Sequence, residues 1–250
     1  MFFFEKILER ISKSKYKSNI ILKGGLLLSS IIGDAERTTK DMDTTLKSML
    51  LEKGNIESIL NEILSIDLRD NVVFKILDIK DIREDDEYGG FKVDIMATME
   101  NLKVHLAIEI TTGDRITPKE IEYNYKSIFE NKKISILAYT IETVIAEKYQ
   151  TIIMRGILNT RMKDFYDIYI LISKNKDIIN IENLRTAIKN TFKHRKTEID
   201  VIKIQETIAE IKKDKDMENL WINYQKNAIY ADRVKYKDLF ESLYFITSIL

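Results

Sequence analysis

The chain has 250 residues, 44% of them hydrophobic, and its 40 Lys and Arg balance its 40 Asp and Glu to a formal net charge of zero. That length buries a core for one large or two modest domains, and the charge balance excludes an overall basic character, so a nucleic-acid partner would have to be held by a local patch. The absence of cysteine excludes disulfides and thiolate metal sites and fits a reducing cytoplasm.

The opening Met1-Phe2-Phe3-Phe4 run meets charges too soon to be the apolar core of a signal peptide, and no stretch approaches about 18 uncharged apolar residues. The chain is therefore expected to be soluble and cytoplasmic, with no membrane partner. Ile7, Leu8 and Ile11 at helical spacing predict an amphipathic helix over 4–14. Ile20-Ile21-Leu22 reads as a short buried strand that breaks at Lys23-Gly24-Gly25 and resumes as an apolar segment. Strand, glycines, helix is an order that suits a phosphate: glycine lets backbone approach a ligand, and the first N–H groups of a helix point at any anion placed there. Asp41-Met42-Asp43 follows, and on a strand its two carboxylates share one face. Their repulsion would be relieved by a divalent cation. Oxygen ligands of this kind suit Mg²⁺, which takes one or two carboxylates plus substrate phosphates.

Apolar spacing over 44–68 predicts a helix pair or one interrupted helix. Residues 72–79, 91–98 and 104–110 alternate apolar with polar and predict consecutive antiparallel strands, the first two separated by a charged, glycine-ended turn over 85–90. On the third of these, Glu109 lies on the polar face with His105 and Ala107. If that strand neighbours the one bearing Asp41 and Asp43, three carboxylates come together, enough to hold two Mg²⁺ ions for phosphoryl transfer. A short helix is expected after Pro118 and a last strand over 134–138. From 140 onward the pattern is helical: 140–157, 161–173, 181–192, 199–213, 217–229 and 236–249. This predicts an α/β (α+β) part over 1–139 and an all-helical bundle over 140–250.

Lys148 falls on the apolar stripe with Ile141, Val144 and Ile145, so it either snorkels to the edge or carries its ammonium to an anion in a cleft. In the free protein its counter-charges are expected among the three carboxylates or Asp164, loosely held. Asp164 and Asp167 are helical neighbours, and Arg161 is spaced to pair with Asp164; such an acid pair can also hold a lysine. Lys189, Lys193, His194, Arg195 and Lys196 form the densest basic cluster, a candidate for a phosphate-backbone contact. His105 and His194 have no ligand-spaced partner, so no zinc site is expected.

Taken in order, Leu22-Lys23-Gly24-Gly25, Arg37-x-x-x-Asp41-Met42-Asp43, the Glu109-to-Asp114 segment, the Tyr139-to-Lys148 segment and Arg161-Met162-Lys163-Asp164-Phe165-Tyr166-Asp167 resemble the AbiEii/AbiGii family of toxins from type IV toxin-antitoxin and phage abortive-infection systems. The resemblance spans about 20 to 173 and implies a polymerase-beta-like nucleotidyltransferase domain with a mixed sheet. It implies a nucleoside triphosphate substrate, GTP or CTP among the candidates, used with Mg²⁺, and an RNA acceptor such as the tRNA 3′ end. It also implies a separately encoded antitoxin that forms no stable complex. Carried over by position, Lys23, Gly24 and Gly25 would hold the triphosphate, Asp41, Asp43 and Glu109 the metal, Lys148 the phosphates, and Asp164 an acidic role in the fourth motif. Glu109 stands where an aspartate is usual. Two further readings share this site: a nucleotide- or RNA-binding module of the same fold without activity, and transfer of the nucleotide to a protein hydroxyl.

Overall fold

The computed structural model describes residues 1–33, 39, 41–82 and 89–250. Arg37 and residues 85–88 of the expected charged turn lie outside them. The chain forms two units, a sheet-bearing unit that ends at Tyr139 and a helical unit from Thr140 to Leu250 that also includes Arg115–Lys119.

The first unit runs α1 (Phe2–Lys13), β1 (Ile20–Lys23), α2 (Gly24–Ile32), β2 (Asp41–Leu46), α3 (Lys53–Leu64), β3 (Val72–Ile82), β4 (Gly90–Met99), β5 (Leu102–Thr112), β6 (Ile121–Lys126) and β7 (Lys133–Ala138). Its strands make one mixed sheet ordered β3-β4-β5-β2-β1-β7-β6. β3, β4 and β5 form the antiparallel series that their alternating pattern predicts. β2 then lies parallel to β5 and antiparallel to β1, and β1 lies parallel to β7. Period-two alternation divides the faces. Val93, Ile108 and Met42, neighbours in register on β4, β5 and β2, are all buried, while the adjacent positions Lys92, Glu109 and Asp43 are half-buried.

Two expected helices are strands or loops instead. Only α3 forms within 44–68, because Thr44 and Thr45 finish β2, where their hydroxyls donate to the carbonyl oxygens of Glu109 and Thr111 on β5 at 3.1 and 3.3 Å. Ser48, with φ +57°, breaks the chain before a helix could start. The helix expected after Pro118 is β6: Ile121, Tyr123 and Tyr125 are residues that favour a pleated, half-buried surface, and they pair with Ala138, Ile136 and Ile134 of β7.

Helix α1 carries buried charge as well as apolar residues, each charged group held by an ion pair or by hydrogen bonds. Arg10 forks onto both carboxylate oxygens of Asp70 at 2.9 Å and donates to the carbonyl of Val72 at 3.0 Å. Glu5 accepts the backbone N–H of Ile128 at 2.8 Å and the hydroxyl of Ser127 at 2.5 Å. These bonds tie the helix to the start of β3 and to the β6–β7 loop.

The helical unit contains α4 (Ile141–Arg155), α5 (Met162–Lys174), α6 (Ile181–His194), α7 (Val201–Lys213), α8 (Lys215–Asn227) and α9 (Tyr236–Ser248). Thr140, Asn180, Asp200 and Asp214 cap α4, α6, α7 and α8 by accepting backbone N–H bonds from the first turn. Tyr149, Phe165, Phe192, Trp221 and Phe240 fill the core. Burial pushes the Tyr149 phenol up, although Thr247 lies 2.7 Å from its oxygen.

Gly24 makes the turn from β1 into α2 at φ +62°, and a Cβ built there would lie 1.8 Å from Oδ2 of Asp43. Gly24→Ala should therefore add a left-handed strain of about 1–2 kcal/mol and also push the carboxylate aside. The expected result is a melting temperature lower by several degrees, readable by thermal unfolding. Asp70 supplies a pH-dependent term. Burial raises its carboxyl pKa but the bonds from Arg10 and from the Val72 N–H outweigh this, so it titrates below its ordinary value of 3.8. A carboxyl depressed on folding stabilises the fold fully above its unfolded pKa and loses that contribution as pH falls toward the folded one. The stability difference between the wild type and Asp70→Asn is thus expected to be flat from about pH 5 to 8 and to shrink below about pH 4 in denaturant titrations.

Candidate active site

The glycine turn and the acid pair come together as the sequence order suggests. β1 and β2 pair with Lys23 opposite Asp43, so the first residues of α2 lie beside the end of β2. The N–H of Gly25 donates to Oδ2 of Asp43 at 3.2 Å. The carboxylate sits over the one residue without a Cβ and at the positive end of a helix, where free N–H groups favour an anion. Asp41 is two residues away on the same face of β2. Its carboxylate makes no hydrogen bond or ion pair with another described residue.

Glu109 stands directly beside Asp43, because β5 and β2 pair in parallel with these two residues in register. Lys92 is the next residue in the same row, on β4, and its ammonium lies 3.6 Å from the Glu109 carboxylate. Among the described residues no three acidic or histidine side chains are gathered closely enough to hold a metal ion. Asp41 and Asp43 are the residues that would hold a divalent cation, with Glu109 beside Asp43 on the next strand. Two hard oxygen donors adjacent on one face would suit Mg²⁺, with substrate phosphates able to complete the shell.

Lys23, expected to hold triphosphate, is engaged elsewhere. Its ammonium donates to Oδ2 of Asp114 at 2.5 Å and to the hydroxyl of Thr111 at 2.7 Å, and it lies 5.5 Å from the centre of the Tyr139 ring. Thr111 also donates to Asp114 at 2.8 Å. Burial alone would raise the Asp114 carboxyl; the Lys23 ammonium and the hydroxyls of Tyr139 and Thr111 hold it well below the usual carboxylate range. Asp114 and Thr111 were in the residues read as a motif, but nothing in their spacing showed that a strand two positions away would bring a lysine to them.

Within the helical unit, Lys148 of α4 is bound by both acids of α5. Its ammonium lies 2.5 Å from Asp164 and 2.8 Å from Asp167, and its side chain is only 14% exposed. Arg161 adds a second cation to Asp164 at 3.0 Å. The loose pairing expected of Lys148 is therefore replaced by a tight one. The reason is helical geometry: Asp164 and Asp167, three residues apart, turn the same face of α5 toward α4. Burial works against the charged ammonium, but the two carboxylates outweigh it and hold its pKa above the ordinary lysine range. Asp167, fully buried, is the functional candidate given least weight in the sequence. In the basic cluster, Lys189 and Lys193 are exposed on α6, whereas Arg195 is turned back onto α4, donating to Gln150 at 2.8 Å and Thr151 at 3.1 Å.

Among the described residues no helix is long and apolar enough to cross a membrane. None of the curated proteins matches the chain in sequence. Among solved structures, JHP933 from Helicobacter pylori is similar in fold, with a TM-score of 0.50 at 12% identity, over 98% of this chain and 87% of that one. A second Helicobacter pylori protein, provisionally assigned as a nucleotidyltransferase, gives a TM-score of 0.47 at 16% identity, over 98% of this chain and 92% of its own. Residues 6–242 match the family described as nucleotidyl transferase AbiEii toxin, type IV toxin-antitoxin system, and the chain belongs to that family.

Proposed function

We propose that this chain transfers a nucleotide from a nucleoside triphosphate, GTP or CTP among the candidates, to the 3′ hydroxyl of an RNA, with the tRNA acceptor end as the leading case. The observation that carries the reading is the position of Asp41 and Asp43 on one strand face, with Asp43 over Gly24 and on the first amides of α2. In this reading the acceptor oxygen bonds to the α-phosphorus and the bond from that phosphorus to the bridging oxygen breaks. Pyrophosphate leaves with the electron pair, and Glu109 takes the hydroxyl proton. Bound at Asp41 and Asp43, Mg²⁺ would offset the negative charge of the triphosphate and of the reacting oxygens. Gly24, Gly25 and the start of α2 orient the phosphates by backbone N–H groups. Lys148 donates to Asp164 and is ion-paired with Asp167 at 2.8 Å, and in this reading a remaining N–H contacts a phosphate oxygen.

A separately encoded antitoxin that reverses growth inhibition without a stable complex, and a role in phage abortive infection, follow from the family. Incubating the protein with each labelled triphosphate and total RNA in Mg²⁺ tests the transfer. Label in tRNA supports the reading, label in protein moves it to a protein hydroxyl, and stabilisation by triphosphate without any labelled product makes the chain an inactive binding module.

Asp41→Ala and Asp43→Ala should each abolish transfer and growth inhibition while the fold survives, since each removes one of two mutually repelling carboxylates. Retained transfer in both variants would remove the metal site from the reading. Lys148→Met should destabilise, because breaking a buried pair leaves uncompensated charge at a cost of about 3–5 kcal/mol, seen as a clear drop in melting temperature. Adding Asp167→Asn should recover part of it. Triphosphate affinity of that double variant then isolates the phosphate contact. A loss of about tenfold, or ~1.4 kcal/mol, assigns the remaining donor of Lys148 to substrate, and unchanged affinity makes the residue structural.

A further inference from the structure

We infer that Lys23 is a positioning residue: it locks the phosphate-facing turn at Gly24 to Asp114 and Tyr139, two residues at which the chain leaves the sheet-bearing unit. This rests on the site proposed above. Lys23 immediately precedes Gly24 and provides the N-cap position of α2. Its ammonium is held by Asp114, and its flank by the ring of Tyr139. Asp114 is the last residue of the sheet-bearing unit before Arg115–Lys119, and Tyr139 is the last before Thr140. These two passages therefore begin at side chains touching Lys23. The backbone adds a further tie, since the N–H of Tyr139 donates to the carbonyl of Leu22 at 3.0 Å.

The helical unit pins the far ends of the same two passages to each other. The carbonyl of Thr117 accepts the hydroxyls of Thr140 at 2.7 Å and Thr143 at 3.2 Å, and its N–H donates to the Thr143 hydroxyl at 3.0 Å. Asn190 of α6 donates to the Thr117 hydroxyl at 3.0 Å. Thr140 also caps α4, the helix that carries Lys148.

A buried ion pair is a poor way to add stability, because apolar residues of the same volume do as well or better. Its distinctive capacity is direction. Lys23, at 8% exposure, has donors aimed at Thr111 and Asp114, so rotation of the β1–α2 turn must break charge-assisted bonds. The left-handed φ of Gly24 and the approach of Asp43 over it are set by that same turn.

The test compares the wild type with Lys23→Arg, which keeps the charge, and with Lys23→Met/Asp114→Leu, which removes both charges together. Melting temperature, amide hydrogen exchange, and kcat and KM for transfer from Mg²⁺-triphosphate are read on each. The double variant is expected to melt within a few degrees of the wild type. Its amides at Gly25 and Leu26 should exchange at least tenfold faster while those of β5 are unchanged, kcat should fall at least tenfold, and Lys23→Arg should restore much of each. A double variant with wild-type exchange at the turn, or one that fails to fold, overturns the assignment, the second because the pair would then hold the fold and not the turn. If the wild type itself transfers no nucleotide, the proposed reaction fails, while the exchange data still decide the role of Lys23.

Discussion

The geometry at this site depends on one close approach, that of the Asp43 carboxylate over Gly24. A side chain of any kind at residue 24 would occupy the volume of that carboxylate. Because Gly24 has no Cβ, β1 can turn directly into α2 with the helix amides aimed at the end of β2, and Asp43 can take the Gly25 N–H. The sheet register follows from the same constraint. With Lys23 opposite Asp43 on one side and Glu109 opposite it on the other, a single row across β4, β5, β2 and β1 reads Lys92, Glu109, Asp43, Lys23. The acids are central and the bases flank them, an order that limits like-charge repulsion in the free protein.

Three buried cations follow one rule. Arg10 with Asp70, Lys23 with Asp114, and Lys148 with Asp164 and Asp167 each face carboxylate oxygens. Isolated, any of these groups would be too costly to bury. Paired, they contribute little net stability but a great deal of orientation, since a fixed fork or ammonium permits few rotamers. Their locations are informative for that reason. Arg10 fixes α1 to the start of β3, and Lys23 fixes the turn under Asp43. Lys148 fixes α4 to α5.

Much of this was legible in the sequence, and most of what was not shares a cause. The three meander strands, β1, and all six helices of the second unit followed from periodicity, because an apolar face of period 2 or 3.6 is a local property. Of the helix pair or interrupted helix expected over 44–68 only α3 formed, because apolar spacing could not separate the end of a strand from the start of a helix. Thr44 and Thr45 were decided by β5, a neighbour more than 60 residues away in sequence. The strand at 121–126 is different: Ile121, Tyr123 and Tyr125 alternate with Glu122, Asn124 and Lys126, so its signal is local and the helix expected after Pro118 overlooked it. In the site, Gly24, Asp43 and Glu109 could be placed from local pattern plus one assumption about strand order. The partners of Lys23 could not, because Asp114 reaches it through a parallel pairing and a turn that no local pattern encodes.

The pairing of the lysines also changes the electrostatics of nucleotide recognition. A triphosphate is strongly anionic, and Asp41 and Asp43 add negative charge where the phosphates would meet the helix. Lys23 cannot answer that charge while it is bound to Asp114. Within the helical unit, the Lys148–Asp164–Asp167 set is itself net negative until Arg161 is counted. Beside Asp43, the first amides of α2 offer an anion a partial positive charge worth about 0.3 to 2 kcal/mol. That is too little to hold a triphosphate against two carboxylates. On the function proposed above, a divalent cation arriving with the nucleotide would supply positive charge that binding needs. In that reading the acid pair would be the attractive element of the site, with Asp43 held close to Gly24.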